Sequence, residues 1–284
     1  MTAAFMTDRP SIEMNLAHIR IVLVEPAGPL NVGAIARVMK NMGLSQLVLV
    51  NPACDPLHPD AQKMAVHAPE LLHNAHIVPH LPDALSGCQR AIATTARERS
   101  AFAPLQPPAQ CLPWLFEATS TRDLTPPPAA LIFGPEDRGL SNTELNYAHR
   151  FLCIPSSPIY PSLNLAQAVA ICGYELHQLA QSEEQPDATN AAIAENGTPF
   201  NTPNTGLSEP VATLDAIEGY YQHLENLLLN IGYLYPHTAA SRMEKFRRFL
   251  NRAAPTETEL AMLRGIIRQM EWALKQESKH SSIH

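Results

Sequence analysis

In the first part of the chain, short apolar runs alternate with segments whose apolar residues recur at helical spacing. The runs Ile19–Val24 and Leu47–Val50 are rich in β-branched residues and lack polar alternation, which is typical of strands covered on both faces. Between them the pattern predicts a helix over residues 32–42, with Asn31 as its N-cap and Gly43 after its end. A strand, a helix and a strand within about 30 residues imply parallel pairing through a right-handed crossover.

The same alternation continues beyond this first unit. Helices are predicted over residues 61–67 and 81–85, and strands over residues 75–78 and 91–95. Strands that alternate with helices are the pattern of a parallel sheet covered by helices. The predicted fold class is therefore α/β with a parallel sheet.

Two further strands, Ala129–Phe133 and Phe151–Ile154, each end in a turn marked by glycine or proline that leads into a helix. Ser141 is followed three residues later by Glu144, and this capping box predicts that a helix starts at Asn142. Open α/β sheets bind their ligands where strand ends expose backbone groups beside helix N-termini. The segment therefore predicts a ligand site, with plain strand–turn–helix connections as the alternative.

The helix predicted after residue 163 is apolar on nearly every side over its first three turns. A surface helix would carry one apolar stripe, so this helix is predicted to be buried on most sides. Ala166, Ala170 and Gly173 recur at helical spacing and form a face of small residues. That face predicts close contact with another helix.

Residues 181–208 are rich in Asn, Thr, Pro and Glu and have little apolar periodicity, which predicts a flexible linker. Beyond it, amphipathic helices are predicted over residues 214–231 and 260–274. The predicted organisation is an α/β domain over 18–180, the linker, and a helical tail over 209–276.

Charge is distributed unevenly along the chain, whose formal net charge is -7. Residues 181–218 contain seven acidic residues and no lysine or arginine, so the remainder of the chain is neutral. Residues 241–275 carry eight basic residues against four acidic ones. A basic segment of this kind indicates nucleic-acid binding, and Arg247, Arg248 and Arg252 are the predicted phosphate contacts.

Cysteine, histidine and hydropathy patterns argue against several other classes of protein. The five cysteines are widely spaced and include no C-x-x-C pair, so neither a disulfide framework nor a zinc site is expected. His67, His73, His76 and His80 follow no metal-ligand template, and no metal is expected. No apolar run approaches the ~18 residues of a membrane span, and the N-terminus lacks an apolar signal segment, so a cytoplasmic protein without membrane contact is expected.

Three blocks of sequence together carry a family resemblance. Asn31–Arg37 has the form N-x-G-x-x-x-R, Gly134–Leu140 the form G-x-E-x-x-G-L, and Ser162–Ala168 the form S-L-N-x-A-x-A. One such block alone would discriminate poorly, but all three in this order resemble the SpoU/TrmH-type branch of the SPOUT-class RNA methyltransferases. The resemblance covers residues 18–180. In the tail, Leu263–Trp272 is similar to the tRNA-modifying members of that branch.

The resemblance implies a trefoil knot at the C-terminal end of the α/β domain, a homodimer, and S-adenosylmethionine as cofactor. It also implies 2'-O-ribose methylation of tRNA, with cytidine or uridine at position 32 of the anticodon loop as the expected target. Cofactor contacts, largely through backbone groups, are implied at strand ends and before the apolar helix. These residues are Thr94, Thr95, Ala96, Gly134, Ile154, Pro161, Ser162 and Leu163.

The residues that the resemblance assigns to catalysis are Asn31, Arg37, Ser162 and Asn164. Arg37 stands at the position of the family's proposed base, but a guanidinium stays protonated in proteins. A fixed cation that stabilises the developing alkoxide or binds the adjacent phosphate is the alternative role. Asn31 would orient the same nucleotide or cap its own helix, while Ser162 and Asn164 would fix the methyl-donor loop. Glu136 is interpreted as a carboxylate that holds its loop rather than as a catalytic group.

Three other functions stay open on the sequence. A methyltransferase of ribosomal RNA and a non-catalytic RNA-binding module would use the same fold. A dinucleotide-binding enzyme is disfavoured, because no G-x-G-x-x-G follows any predicted strand. The presence of Arg37 and of the Gly134 loop favours an enzyme over a binding module.

Overall fold

The computed structural model describes residues 16–96, 104–117, 126–184 and 210–281. Within these ranges seven strands form one sheet in which all neighbouring strands are parallel, in the order β3-β2-β1-β6-β4-β7-β5. The predicted α/β class with a parallel sheet is confirmed. The strands are β1 (Ile19–Val24), β2 (Gln46–Val50), β3 (His76–Val78), β4 (Arg90–Thr94), β5 (Leu105–Gln106), β6 (Ala129–Phe133) and β7 (Arg150–Leu152).

Helices cover the sheet, and three more helices form the tail. None of the helices in the described ranges is long and apolar enough to cross a membrane. The helices beside the sheet are α1 (Pro29–Asn41), α2 (Pro59–Ala65), α3 (Pro69–His73), α4 (Leu81–Ala84), α5 (Pro108–Cys111), α6 (Asn142–Leu145) and α7 (Leu165–Glu184). The tail helices are α8 (Leu214–Asn230), α9 (Ala239–Ala253) and α10 (Glu257–Ser281).

The central strands are apolar without alternation because both faces of the sheet are covered. Ile21 and Leu23 of β1 belong to a core that also holds residues of α1 and α7. Val22 and Val24 of the same strand point into a second core, which includes residues of α4 and α6. Successive side chains of a strand point to opposite faces, so a strand between two helical layers must be apolar at every position.

Helix α1 begins three residues earlier than the sequence predicts, and Asn31 is not its N-cap. Gly28 is the N-cap and Pro29 the first helical residue, a position where the fixed φ of proline and its missing N–H are tolerated. Gly33, in the first of the three sequence blocks, packs against α2. A Cβ at that position would overlap the carbonyl group of Ala61 and lie 2.9 Å from its Cα.

Helix α7 is buried or half-buried on most sides, as predicted, but one side of it is exposed in the single chain. Val169, Cys172 and Leu176 are fully buried, but Ile171 and Tyr174 are 38% and 52% exposed. The face of small residues packs within the chain, since a Cβ at Gly173 would make ordinary contacts with Met42 and Leu44, which follow α1. The exposed apolar side of α7, with Ile171 and Tyr174, is therefore a different face from the face of small residues.

The tail has its own apolar core and is attached to the sheet domain at the start of α8. The backbone N–H of Leu214 donates to the carbonyl of Cys88, and that of Gly87 donates to Asp215 at 2.9 Å. Helix α9 was missed by the sequence prediction, although Met243 and Phe246 recur at helical spacing on its inner side. Helix α7 extends to Glu184, into the predicted linker, and residues 185–208 lie outside the described ranges.

Candidate functional site

A cleft opens at the carboxyl ends of three neighbouring strands, β4, β6 and β7. This is the edge at which open parallel sheets bind ligands. The loop after β6 forms one wall, and the segment that leads into α7 forms another. All eight residues predicted to contact the cofactor line this cleft: Thr94, Thr95, Ala96, Gly134, Ile154, Pro161, Ser162 and Leu163.

Gly134 is required by the shape of its own loop. A Cβ at this position would overlap the backbone nitrogen of Leu140 and come within 2.9 Å of the Cα of Gly139. Gly139 itself has a positive φ of 65°, where any side chain is strained. The loop therefore folds back tightly on the end of β6, and its two glycines permit that path.

A charged network holds the same loop against neighbouring elements. Both terminal nitrogens of Arg138 donate to the carboxylate of Glu144, at 2.9 and 3.0 Å, and one also donates to Glu25 at 2.7 Å. Glu144 caps α6 together with Ser141, which confirms the predicted capping box. Hydrogen bonds to the two carboxylates raise the pKa of Arg138. Bidentate pairing of this kind fixes orientation as well as charge.

Asn31, Glu136 and Asn164 bring the three sequence blocks together through their side chains. Asn31 donates to Glu136 at 2.8 Å, and Asn164 donates to the side-chain oxygen of Asn31 at 3.0 Å. Glu136 also accepts from the backbone N–H groups of Ala27 and Gly28. Burial raises the pKa of Glu136, but these hydrogen bonds outweigh burial and the net shift is downward. Glu136 thus holds the loop, as interpreted from the sequence.

Asn164 also caps helix α7. Its side-chain oxygen accepts from the backbone N–H of Ala166 at 2.9 Å, which satisfies one of the free donors of the first turn. Ser162 lies just before this cap, is exposed, and lines the cleft. Of the four residues assigned to catalysis, Ser162 therefore faces the cleft, and Asn31 and Asn164 lie in the network beside it.

Arg37 is exposed near the middle of α1 and does not line the cleft. Within the part of the chain that the structure describes, its side chain makes no hydrogen bond or ion pair. Leu30, two turns earlier on the same face of α1, is 53% exposed. The guanidinium is therefore available for contacts outside the single chain.

Comparison with known proteins finds matches for both the sheet domain and the tail. The SpoU rRNA Methylase family matches residues 18–174, and the C-terminal domain of the tRNA methyltransferase TrmJ matches residues 215–281. The chain belongs to the SpoU methylase family.

Individual members of the family match over nearly their full length. The tRNA (cytidine/uridine-2'-O-)-methyltransferase TrmJ of Escherichia coli K12 is 39% identical over 259 residues, which cover 90% of this chain and 96% of the relative. The corresponding protein of Cronobacter sakazakii is 38% identical over 258 residues, covering 90% and 97%. The crystal structure of TrmJ from Z. mobilis ZM4 superposes with a TM-score of 0.70 at 29% identity, over 89% of this chain and 98% of that one.

In this SpoU methylase, the three tail arginines predicted to contact phosphate have different surroundings. Arg247 is mostly buried, makes a bidentate ion pair with Glu218, and lies over the rings of Tyr147 and Tyr221. This arginine joins the tail to the sheet domain, so we correct its predicted role from phosphate contact to structural support. Arg248 pairs with Glu244, one turn away on α9.

Arg252 differs from the other two. It is exposed, and among the described residues its side chain has no ion pair or hydrogen bond. Its environment is therefore compatible with the predicted phosphate contact. The sequence could not identify Arg247 as the buried arginine, because its partners Glu218 and Tyr147 come from other segments of the chain.

Neither a disulfide nor a group of converging metal ligands is found in the described ranges. All five cysteines are free, and burial raises the pKa of both Cys88 and Cys111 to about 11. No group of three or more His, Cys, Asp or Glu side chains converges as a metal site in these ranges. The cleft and the adjacent network are the features that need a functional explanation.

Proposed function

We propose that this chain is an S-adenosylmethionine-dependent methyltransferase that modifies the ribose 2'-hydroxyl of cytidine and uridine in tRNA. The observation that carries the proposal is that all eight residues assigned to the cofactor by the family resemblance line one and the same cleft. The activity of the TrmJ relatives as tRNA (cytidine/uridine-2'-O-)-methyltransferases supports the choice of substrate. We propose position 32 of the anticodon loop as the nucleotide modified, and the cytoplasm as the compartment because the substrate is tRNA.

The cleft fits the cofactor chemically. Phe133, Leu152 and Leu165 supply apolar walls, while strand ends and the Gly134 loop supply backbone donors and acceptors. Such a combination suits a heteroaromatic ring with a polar edge. When bound, S-adenosylmethionine would supply the methyl group, and its S–C bond would break as the new C–O bond to the ribose forms. The loop network around Glu136 and Arg138 would hold the cleft in one shape.

The ribose 2'-hydroxyl must release its proton to water during transfer, and Arg37 is the residue proposed to assist this step. A guanidinium is a poor base at neutral pH, so we assign Arg37 the role of a fixed cation beside the developing alkoxide and the adjacent phosphate. Its exposure and its lack of a partner among the described residues leave all its donors available. Positioning of the two reactants would contribute much of the remaining rate enhancement.

We further propose a homodimer and a trefoil knot at the end of the α/β domain. The exposed apolar side chains of α7, Ile171 and Tyr174, support a partner on that face, as does the exposed Leu30 on α1. Because Arg37 lies on the same face of α1 as Leu30, a second copy at this surface would complete the active site.

Tyr174→Asp is expected to convert the dimer to a monomer at micromolar concentration and to reduce methyl transfer at least tenfold. A buried unpaired carboxylate is costly in an apolar interface. Light scattering gives the mass, and a turnover assay gives the activity. Met262→Asp is the control, since Met262 is 61% exposed on α10 in the tail. A parental chain that is already monomeric would contradict the proposed dimer.

Arg138→Met is expected to weaken binding of S-adenosylmethionine by roughly tenfold, equivalent to about 1.4 kcal/mol. The change removes both ion pairs while keeping an apolar stem, so the loop loses its fixed position. Calorimetric titration measures the affinity. Arg268→Met on α10 is the control and should bind the cofactor like the parent. Equal affinities for both variants would show that the network does not shape the cleft.

The proposed activity is tested by incubating the full chain with tritiated S-adenosylmethionine and total tRNA, and then mapping any 2'-O-methylated nucleotide. Methylated cytidine and uridine in the anticodon loop are expected. Label found only in ribosomal RNA would favour the ribosomal alternative. Binding of tRNA without transfer would favour a non-catalytic module.

The domain organisation follows from the same proposal, with the linker at 181–208 and the tail at 209–276 as a tRNA-docking unit. Removal of the tail is expected to abolish tRNA methylation and to spare cofactor binding, because the residues lining the cleft all precede position 169. Transfer at the parental rate by the shortened chain would make the tail a structural element only.

A further inference from the structure

Helix α9 carries its basic residues on two different faces. Arg247 points inward to its pair with Glu218, as described above. Arg242, Lys245 and Arg252 are exposed and recur at helical spacing along the outer face. Phe249 lies between them on that face and is 63% exposed. The outer face of α9 is thus a row of cations interrupted by an aromatic ring.

More exposed aromatic rings lie in the turn that precedes α9. Tyr233 and Tyr235 are each 54% exposed. Arg242 donates to the carbonyl of Tyr233 at 2.9 Å and lies 5.7 Å from the centre of its ring, which joins this turn to the row on α9. Tyr235 stacks on His237 with ring centres 6.0 Å apart. Rings held in this way lose little conformational freedom on binding a ligand.

The charged residues on the outer face of α9, Arg242, Lys245 and Arg252, are all positive. The acidic residue of α9, Glu244, lies on another side of the helix, where it pairs with Arg248. Lys245 and Arg252 have no hydrogen bond or ion pair in the described part of the chain. A second copy of the same surface would bring like charges together, which opposes self-association. A polyanion that carries flat aromatic groups would match both the cations and the exposed rings.

Single-stranded RNA has that chemistry, because its phosphates attract a basic row and its unstacked bases stack on aromatic side chains. We propose that the outer face of α9 and the preceding turn bind unpaired nucleotides of the RNA substrate. Arg242, Lys245 and Arg252 contact phosphates, while Phe249, Tyr233 and Tyr235 stack on bases. This inference rests on the proposed function for the identity of the RNA. It assigns the phosphate contacts once predicted for Arg247 to residues on the opposite face of α9.

The test compares full-length variants in binding to total tRNA and to oligouridylate, a probe without base pairs. Phe249→Ala is expected to raise Kd for both roughly 5- to 100-fold, the range for loss of one base–aromatic stack. Lys245→Gln should lower the slope of log K against log salt by about 0.7 to 0.9. For both variants KM for tRNA should rise while kcat at saturating tRNA stays parental.

Two controls distinguish a loss of RNA binding at this surface from the loss of any exposed apolar side chain and from a loss of stability. Met262→Ala removes an equally exposed apolar side chain from α10 and should bind RNA like the parent. Arg247→Gln should lower the melting temperature, whereas Phe249→Ala and Lys245→Gln should leave it unchanged because their side chains are exposed.

The inference would be overturned if Phe249→Ala and Lys245→Gln bound RNA with the parental affinity. It would also be overturned if these variants changed the oligomeric mass of the protein but not its RNA affinity. A perfectly paired RNA duplex that binds as tightly as oligouridylate, and loses as much affinity in Phe249→Ala, would overturn the stacking role. If the parental chain methylates no RNA, the proposed function fails, yet the oligouridylate titrations still decide whether this surface binds single strands.

Discussion

Replacing Arg37 with alanine is expected to reduce methyl transfer at least 100-fold while the affinity for S-adenosylmethionine stays within a few-fold of the parental value. Removal of one preorganised donor beside a developing oxyanion costs ~10²–10³ in rate. Arg37 lies outside the cleft and has no partner among the described residues, so the change leaves the cofactor walls intact. Titration calorimetry and a turnover assay on the same preparation measure the two quantities.

The matched control for Arg37 is Lys40→Ala, one turn further along α1. Lys40 is also an exposed cation, but it pairs with Glu70 at the surface of the sheet domain. An exposed ion pair contributes little to stability, so this variant should keep parental transfer. Equal turnover by Arg37→Ala and the parent would remove Arg37 from the mechanism. A shared loss in both variants would indicate damage to α1 rather than to catalysis.

Gly33→Ala is expected to lower the free energy of unfolding by about 3 kcal/mol, the upper end of the usual cost of overpacking. The added methyl group would overlap the carbonyl of Ala61, and backbone cannot move aside as a flexible side chain can. The intrinsic preference of helices for alanine over glycine, ~1 kcal/mol, acts in the opposite direction and is too small to compensate. Denaturant unfolding followed by circular dichroism gives the free energies.

Gly265→Ala is the control for Gly33. Gly265 lies within helix α10, and a Cβ there would meet nothing within 4 Å. The same substitution should therefore raise stability by up to ~1 kcal/mol. If Gly33→Ala also gained stability, the close packing of α1 on α2 would be contradicted.

Part of the functional site could be predicted because it depends on local chain geometry. The turns after β6 and β7 are marked by glycine or proline, and parallel pairing of both strands with β4 places all three carboxyl ends at one edge. Gly134 was predicted to contact the cofactor, and the structure shows that its own loop also requires a glycine there, because the backbone of Leu140 leaves no room for a Cβ. Local sequence identifies the glycine, whereas the atom that it accommodates depends on the folded loop.

Side-chain contacts between distant segments could not be predicted from the sequence. Asn31 was predicted to cap a helix or orient a nucleotide, yet its partners Glu136 and Asn164 lie 105 and 133 residues away. Arg247 was predicted to contact phosphate, yet Glu218 and Tyr147 enclose it. Composition reports how many charges a segment carries, but burial and pairing decide which of them reach solvent.

The sequence by itself determined the fold class, the positions of the central strands and the loops that line the cleft. Apolar runs without alternation require a sheet covered on both faces, and turn residues restrict the backbone locally. Only the tertiary structure decided which side of α7 is exposed, which glycine packs against a neighbouring helix, and which face of α9 presents free cations. These features depend on contacts between segments far apart in the chain, and periodicity within one segment does not specify its partner.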